Sequence, residues 1–188
     1  MIDPRETLRE GDALLVIDVQ NDFCPGGALE IPEGHKIIPP LNKWIAAARE
    51  LGVPIYASRD WHPERHPSFE PHGGPWPPHC VQDTEGAAFH DEVDVGDAIV
   101  VTKGTRFDKD QYSAFDETGL AEELRRRGIK RVWIGGLAQD VCVKATAIDA
   151  AKAGFETHVL PEATLPVTPE GGAEAVAEMR KAGVTIES

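Results

Sequence analysis

The chain has 188 residues, 41% of them hydrophobic, enough for one domain with a real core, and this excludes a disordered chain. Lysine and arginine total 19 against 32 aspartates and glutamates, a net charge of −13, and the longest basic run is Arg125-Arg126-Arg127, so nucleic acid and anionic membrane surfaces are excluded as partners. No apolar run is long enough to span a bilayer, the opening Met1-Ile2-Asp3-Pro4-Arg5-Glu6 lacks a secretion-signal pattern, and Cys24, Cys80 and Cys142 are too few for a disulfide framework, so free thiols in a reducing cytoplasm are expected.

In chain order, Ala13-Leu14-Leu15-Val16-Ile17 is a continuous apolar run, as for a strand buried on both faces. Residues 39–51 read as a helix: Leu41, Trp44, Ile45, Ala48 and Leu51 recur at helical spacing, Pro39 and Pro40 fit its first turn and Gly52 its stop. Strands follow at 53–58 and 98–102, then a helix at 117–127 closed by Gly128, a strand at 131–135 and a helix at 140–153 closed by Gly154. A strand at 155–160, a helix at 169–182 closed by Gly183 and a short strand at 184–187 complete the series. Strands alternating with helices imply parallel crossovers, hence a three-layer α/β/α domain over residues 1–188 with a mainly parallel sheet of about six strands. The layout is Rossmann-like, but Gly26-Gly27, Gly73-Gly74 and Gly135-Gly136 fit neither phosphate-loop pattern, so no nucleotide cofactor is expected.

Between Ser58 and Ala98 no helix is legible, and this stretch holds five of the seven histidines: His62, His66, His72, His79 and His90. So long a connection inside a compact domain is usually functional, although a proline-stiffened surface loop explains it as readily. In an open parallel sheet, ligands bind beyond the carboxyl ends of the strands. Asp18, Asp60 with His62, Lys103, and Ala138 with Cys142 all follow strands there. Cys142 at the start of a helix next to a cation is placed to favour a thiolate, although most free cysteines are small core residues. Since no histidine follows Cys142 until His158, an Asp18–Lys103–Cys142 set is the better nucleophile candidate. Asp60 and His62 share one side of an extended segment, and His79 can close a three-ligand site suited to zinc, iron or manganese.

Taken together, Ile17-Asp18-Val19-Gln20-Asn21-Asp22-Phe23, Asp60-Trp61-His62-Pro63, Trp76-Pro77-Pro78-His79-Cys80-Val81, Thr102-Lys103-Gly104 and Gly136-Leu137-Ala138-Gln139-Asp140-Val141-Cys142-Val143 resemble the nicotinamidases, a metal-binding branch of the isochorismatase-like cysteine hydrolases. The resemblance runs from about Leu14 to the last strand. It implies Asp18, Lys103 and Cys142 as catalytic triad and Asp60, His62 and His79 as ligands of one divalent metal, zinc first, with iron or manganese as alternatives. It also implies an oxyanion hole from the amides of Ala138 and Cys142 beside a cis peptide at Leu137-Ala138. Phe23 and Trp76 match aromatics that sandwich a pyridine ring, and Tyr112 borders the pocket. A fourth protein ligand varies in the family; His66, Glu70 and His72 are near enough in sequence, His66 best, with water the first expectation in that place. Cys80 is read as a spectator.

The implied activity is hydrolysis of nicotinamide to nicotinate and ammonia through a cysteine thioester, in NAD salvage, with pyrazinamide as a side substrate. Three rivals are a metal-free amide or ureide hydrolase of the same superfamily, a metallohydrolase in which Cys142 is structural, and a binding domain without catalysis. The sequence leaves the oligomeric state open, a homo-oligomer included.

Overall fold

The computed structural model describes residues 2–188. A single-turn helix α1 (Pro4–Thr7), which the sequence pattern did not announce, is capped by Asp3, whose carboxylate accepts from Arg5 N. The chain then enters β1 (Asp12–Ile17), buried along its whole length. Next come α2 (Ile38–Leu51), β2 (Ile55–Asp60), β3 (Ile99–Lys103), α3 (Leu120–Arg126) and β4 (Arg131–Leu137). The chain closes with α4 (Lys144–Lys152), β5 (Glu156–Leu165), α5 (Pro169–Lys181) and β6 (Thr185–Ile186).

The six strands make one parallel sheet in the order β3-β2-β1-β4-β5-β6. Period-two alternation sorts the β1 side chains between the two faces. Leu14 and Val16 pack with Leu41, Trp44 and Ile45 of α2, whereas Ala13, Leu15 and Ile17 pack with Leu124 of α3, Ala147 and Ala150 of α4 and Met179 of α5. These are the three layers expected from the alternation of strands and helices.

Three elements depart from the sequence reading. The 155–160 strand runs on to Leu165, because β4 also extends and pairs Gly136 with Thr164 and Leu137 with Leu165 beyond a register shift; Pro161 sits exposed in that shift. The 117–127 helix begins only at Leu120, since Glu117 and Gly119 hold left-handed backbone that a helix cannot include. The 140–153 helix opens as a wide π turn over Gln139–Val143 before α4. The 61–98 connection contains only short 3-10 turns at Glu70–His72 and Glu85–Ala87 and isolated bridges pairing His62 with Val81, Phe69 with Trp76 and Phe89 with Gln20.

The strand order reverses between β1 and β4, and there an open α/β sheet leaves its crevice. Gly136 makes this join possible: at φ +129° a Cβ would lie 2.1 Å from Ile17 O on β1.

Candidate active site

The carboxyl ends of four strands deliver their side chains to this crevice. Asp18 follows β1, Asp60 and Lys103 end β2 and β3, and Cys142 lies in the π turn after β4. Asp60 and Lys103 are register partners, so Lys103 Nζ reaches Asp60 Oδ1 at 2.7 Å. The same ammonium donates to Asp18 Oδ2 at 2.8 Å and Gln111 O at 3.3 Å and lies 3.6 Å from Cys142 Sγ. All four side chains are buried. Burial alone would depress Lys103, but Asp18 and Asp60 outweigh it and hold the ammonium well above its ordinary pKa.

Asp18 sits at φ +48°, a left-handed conformation that aspartate adopts at a modest cost. Ser58 fixes it: Ser58 Oγ donates to Asp18 Oδ1 at 2.7 Å, and Asp18 N donates to Ser58 O at 3.1 Å. Burial raises the Asp18 pKa, with Lys103 opposing and Asp60 reinforcing. Cys142 stands in the π turn that opens the 140–153 helix, and burial pushes its thiol well above the ordinary value despite Lys103. A carboxylate oxygen of Asp18 lies within 4.8 Å of its sulfur. A neighbouring proton acceptor, rather than a ready-made thiolate, is what the structure supplies.

Asp60, His62 and His79 each place one donor atom within 4.8 Å of the others. His62 Nδ1 faces Gly104 O at 2.7 Å and His79 Nδ1 faces Pro77 O at 2.7 Å, which aims both Nε2 atoms inward. Gly104 is required here: at φ +71° a Cβ would lie 2.5 Å from His62 Cε1. His62 Nε2, 3.5 Å from Asp60 Oδ2, is buried without a hydrogen-bond partner, as is Nε2 of His66, whose ring stacks on His62 with centroids 4.0 Å apart. Burial and the neighbouring His62 depress His66 to about 4, and burial lowers His79, so both rings are neutral at pH 7, as metal ligands must be. At Asp60, Lys103 and His62 outweigh burial and keep the carboxyl below the usual range; at His62, Asp60 outweighs burial and raises the ring. Orphaned, inward-aimed imidazole nitrogens beside a carboxylate fit a divalent metal. Of the three candidates for a fourth ligand, the fold brings His66 to the cluster and leaves Glu70 and His72 on an exposed turn.

A cavity opens onto both clusters, lined among others by Phe23, Trp76, Tyr112, Ala138 and Cys142. The Leu137-Ala138 peptide is cis. Trp76 Nε1 donates to Tyr112 Oη at 3.1 Å, joining two loops across the cavity, and Phe23 packs 5.6 Å from His79. Cys80 is buried and its thiol is strongly raised by burial. Sequence reasoning passed over Ser58, Gln20 and Gln111. Gln20 clamps the Asp60 backbone, with its Oε1 accepting from Asp60 N and its Nε2 donating to Asp60 O; Gln111 Oε1 accepts from Gly104 N. Only Gln20 lay inside a motif already singled out.

The fold and this rim define a three-layer α/β protein whose sheet-end crevice holds a buried cysteine beside a lysine and two carboxylates. The Isochorismatase domain family matches residues 12–188, and the chain belongs to that family. It is 38% identical to a nicotinamidase of Escherichia coli, with 93% of each chain covered. A crystal structure of pyrazinamidase of Pyrococcus horikoshii in complex with zinc superposes with TM-score 0.91 at 49% identity, covering 95% of this chain and 99% of that one. A structure of PnC1 from L. infantum in complex with nicotinate gives TM-score 0.88 at 40% identity, covering 94% and 92%.

Proposed function

We propose that this chain is a nicotinamidase, hydrolysing nicotinamide to nicotinate and ammonia in NAD salvage and accepting pyrazinamide as a second substrate. The observation that carries this reading is that one cavity is lined at once by Cys142, which Lys103 and Asp18 back from the buried side, and by Asp60 and His79, which His62 backs, with Phe23 and Trp76 on its wall. The names of the similar proteins support the same substrate class.

Asp18 takes the Cys142 proton as the sulfur attacks the carboxamide carbon, with Lys103 offsetting the negative charge that develops. The carbonyl electron pair moves onto oxygen, which receives the amides of Ala138 and Cys142; losing one such donor typically costs ~10²–10³ in rate. Asp18 returns its proton to nitrogen, the C–N bond breaks, ammonia leaves and a thioester remains. Asp18 then takes a proton from an attacking water, the C–S bond breaks, the sulfur regains its proton and nicotinate departs. Asp60, His62 and His79 would hold a divalent metal, zinc first among the candidates, which when bound would orient the pyridine ring and draw electrons from the carboxamide. Phe23 and Trp76 flank the ring and Tyr112 closes its edge.

Ammonia release from nicotinamide by purified protein tests this reading, with Cys142→Ala as control. Turnover abolished by that change, and a nicotinoyl adduct on Cys142 in the mass spectrum of quenched wild-type enzyme, are the expected results. Turnover that survives Cys142→Ala removes the thioester route.

A further inference from the structure

Next to the three proposed metal ligands lies a second group of donors that no step above uses. One atom each from His62, His66 and Asp110 falls within 4.8 Å of the others, so His62 is common to both groups. His66 is oriented by Ser68, whose Oγ meets Nδ1 at 2.7 Å, and its Nε2 is buried with no partner. Asp110 Oδ1 faces that nitrogen from 3.9 Å, beyond hydrogen-bond reach. The Asp110 side chain is only 19% exposed, lines the cavity and is pinned at Oδ1 by Gln111 N at 2.8 Å. Two inward-facing polar groups too far apart to bond each other leave room for something between them.

Charge gives that arrangement a direction. Asp60 is the one carboxylate among the three proposed ligands, and Lys103 already holds its Oδ1. The imidazoles bind metal as neutral groups. A dication in this pocket therefore meets one carboxylate whose charge is shared with an ammonium, unless a second carboxylate faces it. Asp110 is that carboxylate, on the side where His66 stands.

We propose that Asp110 is a positioning residue of the metal centre: facing the His62 and His66 nitrogens, its carboxylate tightens the binding of a divalent cation and orients water held there. The inference goes beyond the assignment of substrate and rests on that reading only in taking the Asp60–His62–His79 group as a metal site. Carboxylates that support a metal from outside its ligand set commonly contribute a factor of 10–100 in affinity.

The test is zinc affinity, measured on chelator-stripped protein by competition with a chromophoric chelator, together with melting temperature with and without zinc. Asp110→Asn keeps an oxygen for Gln111 N and removes the charge. It should melt like wild type when metal-free, bind zinc about 10–100-fold more weakly and gain less melting temperature from zinc. Asp110→Glu should recover part of the affinity. A merely structural residue would lower the metal-free melting temperature and leave zinc affinity of the folded protein unchanged, and that result overturns the proposal. So does zinc affinity within threefold of wild type in Asp110→Asn. His79→Ala, measured alongside, separates the two levels: if it too binds zinc like wild type, the metal site itself is misplaced, whereas loss in His79→Ala with none in Asp110→Asn sinks the Asp110 role alone.

Discussion

Asp18 carries the heaviest chemical demand of any residue in the crevice, because burial raises the pKa of the thiol beside it. A carboxylate must act as base and then as acid. Asp18→Asn retains left-handed backbone readily and keeps an oxygen for Ser58 Oγ, yet cannot accept a proton. It should lose at least ~10²-fold in kcat with metal content near wild type and a lowered melting temperature, because the buried Lys103 loses one of its two carboxylates; turnover within a few-fold of the parent would show that another group takes the thiol proton. His66 gives a second expectation at this scale. Its folded pKa of about 4 lies below the ordinary 6.5, so the unfolded chain binds the proton more readily. The stabilisation that follows is complete above pH 6.5 and is lost as pH falls towards 4, amounting to roughly 3 kcal/mol at most. Melting of metal-free protein from pH 7 to pH 4 should therefore drop more steeply for wild type than for His66→Gln.

Among the elements, the ends of β2 and β3 and the loops beyond them decide whether the metal ligands meet. Asp60 closes β2, Gly104 directly follows β3, and His62 is held between them by the Gly104 carbonyl. A methyl group on Gly104 collides with the His62 ring and requires strained backbone. Gly104→Ala should thus lower metal content and nicotinamide turnover together in protein that still shows a native far-ultraviolet spectrum; full metal occupancy in that variant would mean that the loop gives way at no cost to the site. The Trp76–Tyr112 bond ties the long histidine-bearing connection to the loop after β3. If Phe23, Trp76 and the metal side of the cavity select a pyridine ring, nicotinamide and pyrazinamide should turn over well and benzamide, which lacks the ring nitrogen, poorly. Steady-state rates on the three amides decide this.

Across the whole molecule, scaffold and site are separable. At the opposite end of the sheet from the crevice, Arg131 on β4 and Asp12 on β1 are register partners and form a buried pair through Nε at 2.8 Å and Nη2 at 2.7 Å; Trp133 Nε1 adds a third donor to Asp12. Removing the arginine strands a buried carboxylate, a change that typically costs 3–5 kcal/mol, or about that here. Arg131→Met should lower the denaturant midpoint markedly and leave kcat per folded molecule unchanged. The sequence by itself determined the parallel three-layer fold, because continuous apolar runs and 3.6-residue periodicity are local signals of how an element is buried. It also marked Asp18, Asp60 and Lys103, which end or directly follow strands whose register is set by that same pattern, and His62 and Cys142 a few residues beyond strand ends. Which groups surround them was decided only in three dimensions. His66, Glu70 and His72 are equivalent in sequence, and only the folding of the 61–98 connection buries the first and exposes the others. Asp110, Gln111 and Ser58 lie outside any spacing rule, because their contacts join strands and loops that meet only at the rim of the sheet. The upward shift of the Cys142 thiol was likewise out of reach, since burial is the largest influence on it and burial belongs to the assembled core.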